Sequence, residues 1–402
     1  MAFKTILNLR DSVAGILSGV DITTIADLNG CFQRAVSTMI QKASIPEACG
    51  MQNITLYSGV TDYICDSKIF GTSITDIRPQ GVSRNANNFV TKTAKDDFDR
   101  TKGIYYPSGT TSTFEYQNGI PIIRILSPYP RQKTIIDLMT DTTGWVASGS
   151  ASLLTQDTSV YYQSPASLRF TLTGASTGIL TKTISPIDLS QYVGVGVGFL
   201  AIQIPDGTIA SNLTSIEVRI GSDSGNYYTS TSTTGFLGAW TAGNWLLVSF
   251  SGATVTGSPV MTRATYVQFR FTTGAGIANF RVGGTWISMP SQSQILYKSA
   301  AIFLPVGATS PLTTITLNTD EIILTDPAYN IYLQECALAA LQNTGGSDND
   351  SSSIKINRIL DGNGSTDIGL YKRYSGDNPS QELRQLGSWY DNSQGYGSYN
   401  NY

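Results

Sequence analysis

A chain of 402 residues with no histidine cannot form a Ser-His or Cys-His nucleophile pair, use a histidine general base or build a histidine-ligated zinc site. Twenty-six Lys and Arg against 29 Asp and Glu leave a net charge of -3, which supplies no excess positive field to hold a phosphate backbone. With 41% hydrophobic residues the chain can bury packed cores, and its length suggests about two or three domains.

From Phe3 to Ile40 apolar residues recur at helical intervals, first Phe3, Ile6, Leu7, Val13, Ile16, Leu17 and Val20, then Ile25, Leu28, Phe32, Val36, Met39 and Ile40. Two amphipathic helices are expected. Thr24, three before Asp27, is the expected capping-box start of the second, and Gly30 is a weak point inside it. After Ile45-Pro46 the period changes to two, and Ile54, Leu56, Val60, Tyr63 and the stretch SITDIRPQG read as short strands. Phe89 to Arg100 reads as a charged, helical connection, with Asp96, Asp97 and Asp99 beside Lys92, Lys95 and Arg100 as a solvated face. Ile104 to Ile125 returns to strands, and Asn118-Gly119 suits a tight hairpin turn.

Composition shifts near Thr134. From there to about Met289 the chain is rich in Ser, Thr and Gly and carries short alternating runs: SLRFTLTG, GVGVGFLAIQI, SIEVRIGS, NWLLVSF, TYVQFRF and NFRVGGTWISM. Short runs punctuated by turn-formers are the pattern of a two-sheet β-sandwich. Within it Gly194, Gly196 and Gly198 are expected along one face of a strand, and Trp245 reads as a core residue. Trp145, Trp240, Tyr227 and Tyr228 are the candidate contacts to a glycan or partner, because rings on a rigid sheet can stack on sugars.

Beyond the sandwich, Ala301 to Leu324 is strand-like. TDPAYNIYLQECALAALQNTGG then carries the signals of a helix, with Asp326 as cap, Pro327 in the first turn and Gly345-Gly346 at the end. DGNGSTD, from Asp361, alternates oxygen donors but has Lys372 where a calcium loop needs its bidentate carboxylate, so an Asx-rich turn is expected. Cys31, Cys49, Cys65 and Cys336 lack metal-ligand spacing and read as buried free thiols. No acid pair stands out for catalysis, so neither catalytic nor metal residues are assigned and no cofactor is expected.

Helical patterns at both ends bracket the β-rich stretch, so the expected fold is α+β, a discontinuous helix-plus-strand core carrying an inserted all-β jelly-roll sandwich. The expected division is core at 1–133, sandwich at 134–290, core again at 291–386 and an extended arm at 387–402. GSWYDNSQGYGSYNNY has too few aliphatic side chains to fold alone, and Trp389, Tyr390, Tyr396, Tyr399 and Tyr402 are its expected assembly contacts with a neighbouring subunit.

Several segments together resemble a known family. DLNGCFQRAVSTMIQKASIPEA, NITLYSGVTDYICDSKIFGTSITDIRPQG, and DPAYNIYLQECALAALQ followed by GLYKRYSGDNPSQELRQLGSWY are similar to tailed-bacteriophage virion proteins of the head–tail connector or neck (adaptor) type. The middle third, with SPASLRFTL, IDLSQY, VRIGSDSGNYY and FRVGGTWISM, is similar to carbohydrate-binding-module-like jelly rolls, though it departs from them in having no clear acidic metal cluster in its late segment. The resemblance implies a structural, non-enzymatic virion protein that forms a ring of about twelve copies at the head–tail junction. Its implied partners are itself, the portal protein, tail or neck proteins, and a capsid or host glycan through the sandwich. Genomic DNA would pass without sequence-specific binding, and no membrane is involved. The alternative is a tail-associated or receptor-binding protein whose sandwich binds host glycans. The opening MAFKTILNLR lacks the continuous apolar run of a signal peptide, so synthesis in the host cytoplasm is expected.

Overall fold

The computed structural model describes residues 4–18, 20–43, 45, 48–79, 90–92, 110–117, 120–126, 133–162, 165–344, 351–362 and 369–377. The fold is α+β, with helices at both ends and a large antiparallel sandwich between them. The five aromatic residues of the C-terminal arm, most of the segment after Asp361 and the Asp96–Asp99 charge cluster lie outside the described residues.

The helical part begins with β1 (Lys4–Thr5), α1 (Ile6–Ile16) and α2 (Leu28–Lys42). Thr5 and Asn8 form a reciprocal capping box at the start of α1. The cap of α2 is Asp27 and not Thr24, which sits in a short 3-10 turn over Ile22–Thr24. Asp27 adopts φ 55° and its Oδ1 accepts the Gly30 N–H at 3.0 Å. A Cβ at Gly30 would lie 1.9 Å from the Asp27 carboxylate, so the glycine that looked like a defect is what admits the cap.

The chain continues through β2 (Cys49–Leu56), β3 (Asp62–Ile64), β4 (Ile69–Pro79), β5 (Val90–Lys92), β6 (Thr110–Gln117) and β7 (Ile120–Leu126). Val90–Lys92, expected within a helical connection, is a strand parallel to β6. After the sandwich come β20 (Ser291–Ser299), β21 (Phe303–Leu304), β22 (Glu321–Ile322), α3 (Asp326–Asn343), α4 (Ser351–Asp361) and α5 (Leu370–Asp377). The cap position of α3 is Thr325, with Asp326 already in the first turn. Helix α3 is buried on several sides by α1, α2, α4 and α5, which is why it has no polar face. Its Glu335 is buried and is satisfied by Lys42 Nζ at 3.1 Å and the Tyr371 hydroxyl at 2.7 Å. Cys31, Cys65 and Cys336 are buried free thiols, whereas Cys49 is exposed.

The sandwich comprises β8 (Lys133–Asp137), β9 (Trp145–Gly149), β10 (Ala151–Asp157), β11 (Ser167–Leu172), β12 (Thr177–Ile187), β13 (Val197–Gln203), β14 (Leu213–Asp223), β15 (Asn226–Ser232), β16 (Trp245–Phe250), β17 (Thr254–Thr256), β18 (Ala264–Thr273) and β19 (Ile277–Ser288). One sheet runs β10-β11-β19-β13-β16, with β8 also paired to β19, and the other runs β17-β15-β14-β18-β12-β9. Their facing sides close over Phe170, Phe269, Phe271, Phe280, Leu200, Ile202 and their neighbours. The expected glycine face is absent: Gly194 (φ 79°) and Gly196 form the turn after a 3-10 helix at Ser190–Tyr192, and the strand starts at Val197.

Lys133 and Ser288 are Cα partners in the β8–β19 pairing, so the chain enters and leaves the sandwich at neighbouring points. Beyond Ser288, β20 pairs at once with β2 and β4 of the core. A third apolar cluster joins the two parts: Phe199, Val197 and Trp286 of the sandwich pack with Ile54, Leu56, Val60, Tyr63, Ile123 and Ile295. Among the described residues no helix is long and apolar enough to cross a membrane.

Candidate functional site: a polar and aromatic row on the sandwich

The phase of each strand decides what the first sheet shows on its outer side. In β16 Val248 and Phe250 point into the sandwich, so Trp245, Leu247 and Ser249 point out. In β11 Leu168 and Phe170 are inward and Arg169 is outward; in β19 Phe280 and Val282 are inward and Arg281 is outward. The ladder then aligns these residues. Thr155 is paired with Arg169, Arg169 with Arg281, Arg281 with Gln203, and Gln203 with Trp245, giving one row across five strands.

Hydrogen bonds fix the middle of the row. Arg281 donates Nε to Asp157 Oδ2 at 2.8 Å and Nη1 to Gln203 Oε1 at 3.1 Å, and Gln203 donates its amide to the Gly243 carbonyl at 3.0 Å. Asp157 Oδ1 accepts the Ser159 N–H at 2.9 Å, the Ser159 hydroxyl at 2.6 Å and the Val160 N–H at 3.2 Å. Burial opposes ionisation of Asp157, but the bonds from Ser159, Arg281 and Val160 outweigh it and hold the carboxyl well below the usual carboxylate range. It is a fixed anion, unsuited to act as a proton donor near neutral pH.

Trp245 forms the aromatic end. Its ring and Tyr162 lie across Gly283, where a Cβ would come within 2.8 Å of both side chains. From Trp245 the rings continue to Tyr162 (5.8 Å), Trp286 (6.2 Å, 10° between planes) and Phe199 (5.7 Å), and then to Tyr57 of the core at 5.2 Å. Trp286 is buried, donates Nε1 to the Ser58 carbonyl at 3.0 Å and lies 4.9 Å from Lys133 Nζ, while Ser58 N–H donates to Ser288 Oγ at 2.7 Å. Burial lowers the Lys133 pKa and raises that of Tyr162 to about 12, the Asp62 charge adding to the latter.

The four residues expected at the site do not converge. Trp145 is inside the sandwich against Phe269, with ring centroids 6.1 Å apart, and is only 6% exposed, so the fold removes it from the surface. Trp240 is half-buried against the sandwich core. Tyr227 and Tyr228 are consecutive in β15 and take opposite sides: Tyr228 is paired with the inward Ile220, whereas Tyr227 faces outward under Arg219 at 4.8 Å. Trp245, expected in the core, is half-buried and faces outward. The three apolar residues at its start hid the alternation, which only Ser249 and Phe250 reveal. Arg169, Arg281, Gln203 and Asp157 were missed, although the phase of SLRFTL and NFRV already sets the two arginines opposite to Leu168, Phe170, Phe280 and Val282. Among the described residues no group of three His, Cys, Asp or Glu is placed to hold a metal ion.

Fold and surface together define a two-sheet antiparallel β-sandwich with a row of ring, amide and guanidinium groups on one outer face. No family model matches the sequence, and no curated protein matches it. Solved structures similar to the chain include a family 11 carbohydrate-binding module of a cellulosomal cellulase of Clostridium thermocellum, at 12% identity over 40% of this chain and 95% of that one, with a TM-score of 0.29. A family 30 carbohydrate-binding module from the same organism is similar at 15% identity over 40% of this chain and 96% of that one, with a TM-score of 0.28. A structure described by the promiscuous specificity of carbohydrate-binding modules of the β-sandwich superfamily is similar at 14% identity over 60% of this chain and 98% of that one, with a TM-score of 0.27.

Proposed function

We propose that the protein is a non-enzymatic, glycan-binding component of a phage particle, tail-associated or receptor-binding, that works through the outer row of its sandwich. The observation that carries this reading is the alignment of Arg169, Arg281, Gln203 and Trp245 on adjacent strands of one rigid sheet. A half-buried, outward-facing indole offers a flat apolar surface to the C–H face of a sugar ring, and the guanidinium and carboxamide of the same row offer planar donors and acceptors to its hydroxyls. Holding these groups on strands, with Asp157 fixing Arg281, means that little order is lost on binding. Carboxylate catalysis needs two acids across the bond to be cleaved, whereas the row contains one acid, already committed to Arg281 and three other donors.

A glycan array probed with the full chain and with Trp245→Ala tests the proposal. The expected result is a restricted set of bound glycans that the variant loses, with at least a tenfold weaker Kd, about 1.4 kcal/mol, and a far-ultraviolet circular dichroism spectrum that stays unchanged. Retention of the same glycans by Trp245→Ala would contradict it. Mass measurement of the purified protein tests the virion setting: a trimer fits the receptor-binding role, and a closed ring of about twelve subunits would move the protein to the head–tail junction.

A further inference from the structure

We infer that the glycan bound by this row is acidic, presenting a sugar carboxylate of the uronic- or sialic-acid class to Arg169 and Arg281. The inference rests on the glycan-binding reading and adds the chemistry of the ligand. Arg169 and Arg281 are direct cross-strand partners, an arrangement in which two like charges oppose each other on one face of the sheet and destabilise the pairing. An anion offsets that repulsion, and among the described residues the fold supplies one carboxylate, that of Asp157, for the two guanidinium groups.

That carboxylate is unevenly shared. Asp157 Oδ2 is 2.8 Å from Arg281 Nε but 3.9 Å from Arg169 Nη1, too long for a hydrogen bond. Its other oxygen already receives Ser159 N–H, Ser159 Oγ and Val160 N–H. The remaining polar contacts of Arg169 are long, at 3.4 Å between Nε and Thr155 Oγ1, and its side chain is 41% exposed where that of Arg281 is 15% exposed. The row therefore holds one positive charge beyond what Asp157 neutralises, carried by the more accessible guanidinium, which faces outward in the same row as Trp245. A guanidinium fork binds a carboxylate by two parallel N–H bonds, which is stronger and more selective than its contact with a neutral hydroxyl. Docking such a group opposite Asp157 would give each arginine its own anion.

The test is the full chain on an array that pairs neutral glycans with uronate- and sialate-bearing counterparts, repeated with Arg169→Gln and at raised salt. Acidic glycans are expected to bind about tenfold or more tightly than their neutral counterparts, a preference that weakens between 50 and 500 mM NaCl, roughly the range over which screening closes in to a few ångströms. Arg169→Gln should lose the preference, so that the acidic and neutral members of each pair bind with equal affinity whatever its overall level, with a melting temperature unchanged or raised because the cross-strand repulsion is gone. Hits confined to neutral glycans, or an acidic preference that survives Arg169→Gln, would overturn the inference and leave the glycan-binding reading standing. An array with no bound glycan would overturn both.

Discussion

The outer face of the sheet that contains β13, β16 and β19 has two halves built from the same strands, and they meet different surroundings. One half, with Phe199 and Trp286, is covered by Tyr57, Tyr63, Val60 and the Ser58 turn of the core. The other, from Arg169 to Trp245, is partly open and polar. Strand β19 supplies both, and it does so by breaking its own alternation. Gly283 and Gly284, the latter at φ 111°, form an irregularity opposite the Leu200–Ile202 step of β13, after which Thr285 and Ile287 face inward and Trp286 faces out. One sheet surface thus anchors the sandwich through apolar burial and keeps a ligand row beside the anchor, with Tyr162 stacked between them.

The largest break in this comparison is expected from Trp286→Ala. It removes a fully buried indole and its bond to Ser58 and should cost about 3–5 kcal/mol. Calorimetry should show the sandwich and the core melting at separate temperatures where the wild type melts with the two coupled. A smaller effect on stability and a larger one on binding are expected for Gly283→Ala, whose Cβ would displace Trp245 and Tyr162. Glycan affinity should fall by about tenfold or more, with a destabilisation within the roughly 1–3 kcal/mol typical of overpacking, measured by titration and by denaturant unfolding.

The open half should also be acid-sensitive. The folded pKa of Asp157 is depressed, so its contribution to stability is present above the unfolded value, near 4, and is lost as pH falls towards the folded value. Melting temperature should therefore decline below about pH 4, and Asp157→Asn should be less stable near neutrality but flatter across that range. The smallest change is expected from Arg281→Lys, which keeps the charge but not the fork. Glycan binding should weaken severalfold in direct titration while far-ultraviolet circular dichroism stays unchanged.

How far this site could be read from sequence varies from residue to residue. The α2 and α3 helices, the sandwich, its place between helical segments and the β6–β7 hairpin follow from periodicity and turn residues, because local pattern determines them. The outward setting of Arg169 and Arg281 was also local, carried by Leu168, Phe170, Phe280 and Val282. Their adjacency was not, since strands separated by more than a hundred residues meet through a register that no short segment encodes. Trp145 and Trp245 exchange their expected roles for a related reason: Trp145 starts an edge strand whose inward side is set by β12, and Trp245 begins a run whose phase shows only at its end. Trp286 is outward only because of the Gly283–Gly284 irregularity, which period-two reading passes over. In α2, Gly30 read alone is a helix breaker, and only the carboxylate of Asp27 gives it a purpose.

The row itself can be tested by fluorine NMR on protein labelled with fluorotryptophan at its five tryptophans, titrated with the tightest-binding glycan of the array and assigned by single Trp→Phe variants. The Trp245 resonance is expected to shift most, with a smaller shift at the stacked Trp286 and none at Trp145. A largest shift at Trp240, or a Trp245 resonance that stays in place at saturation, would contradict it.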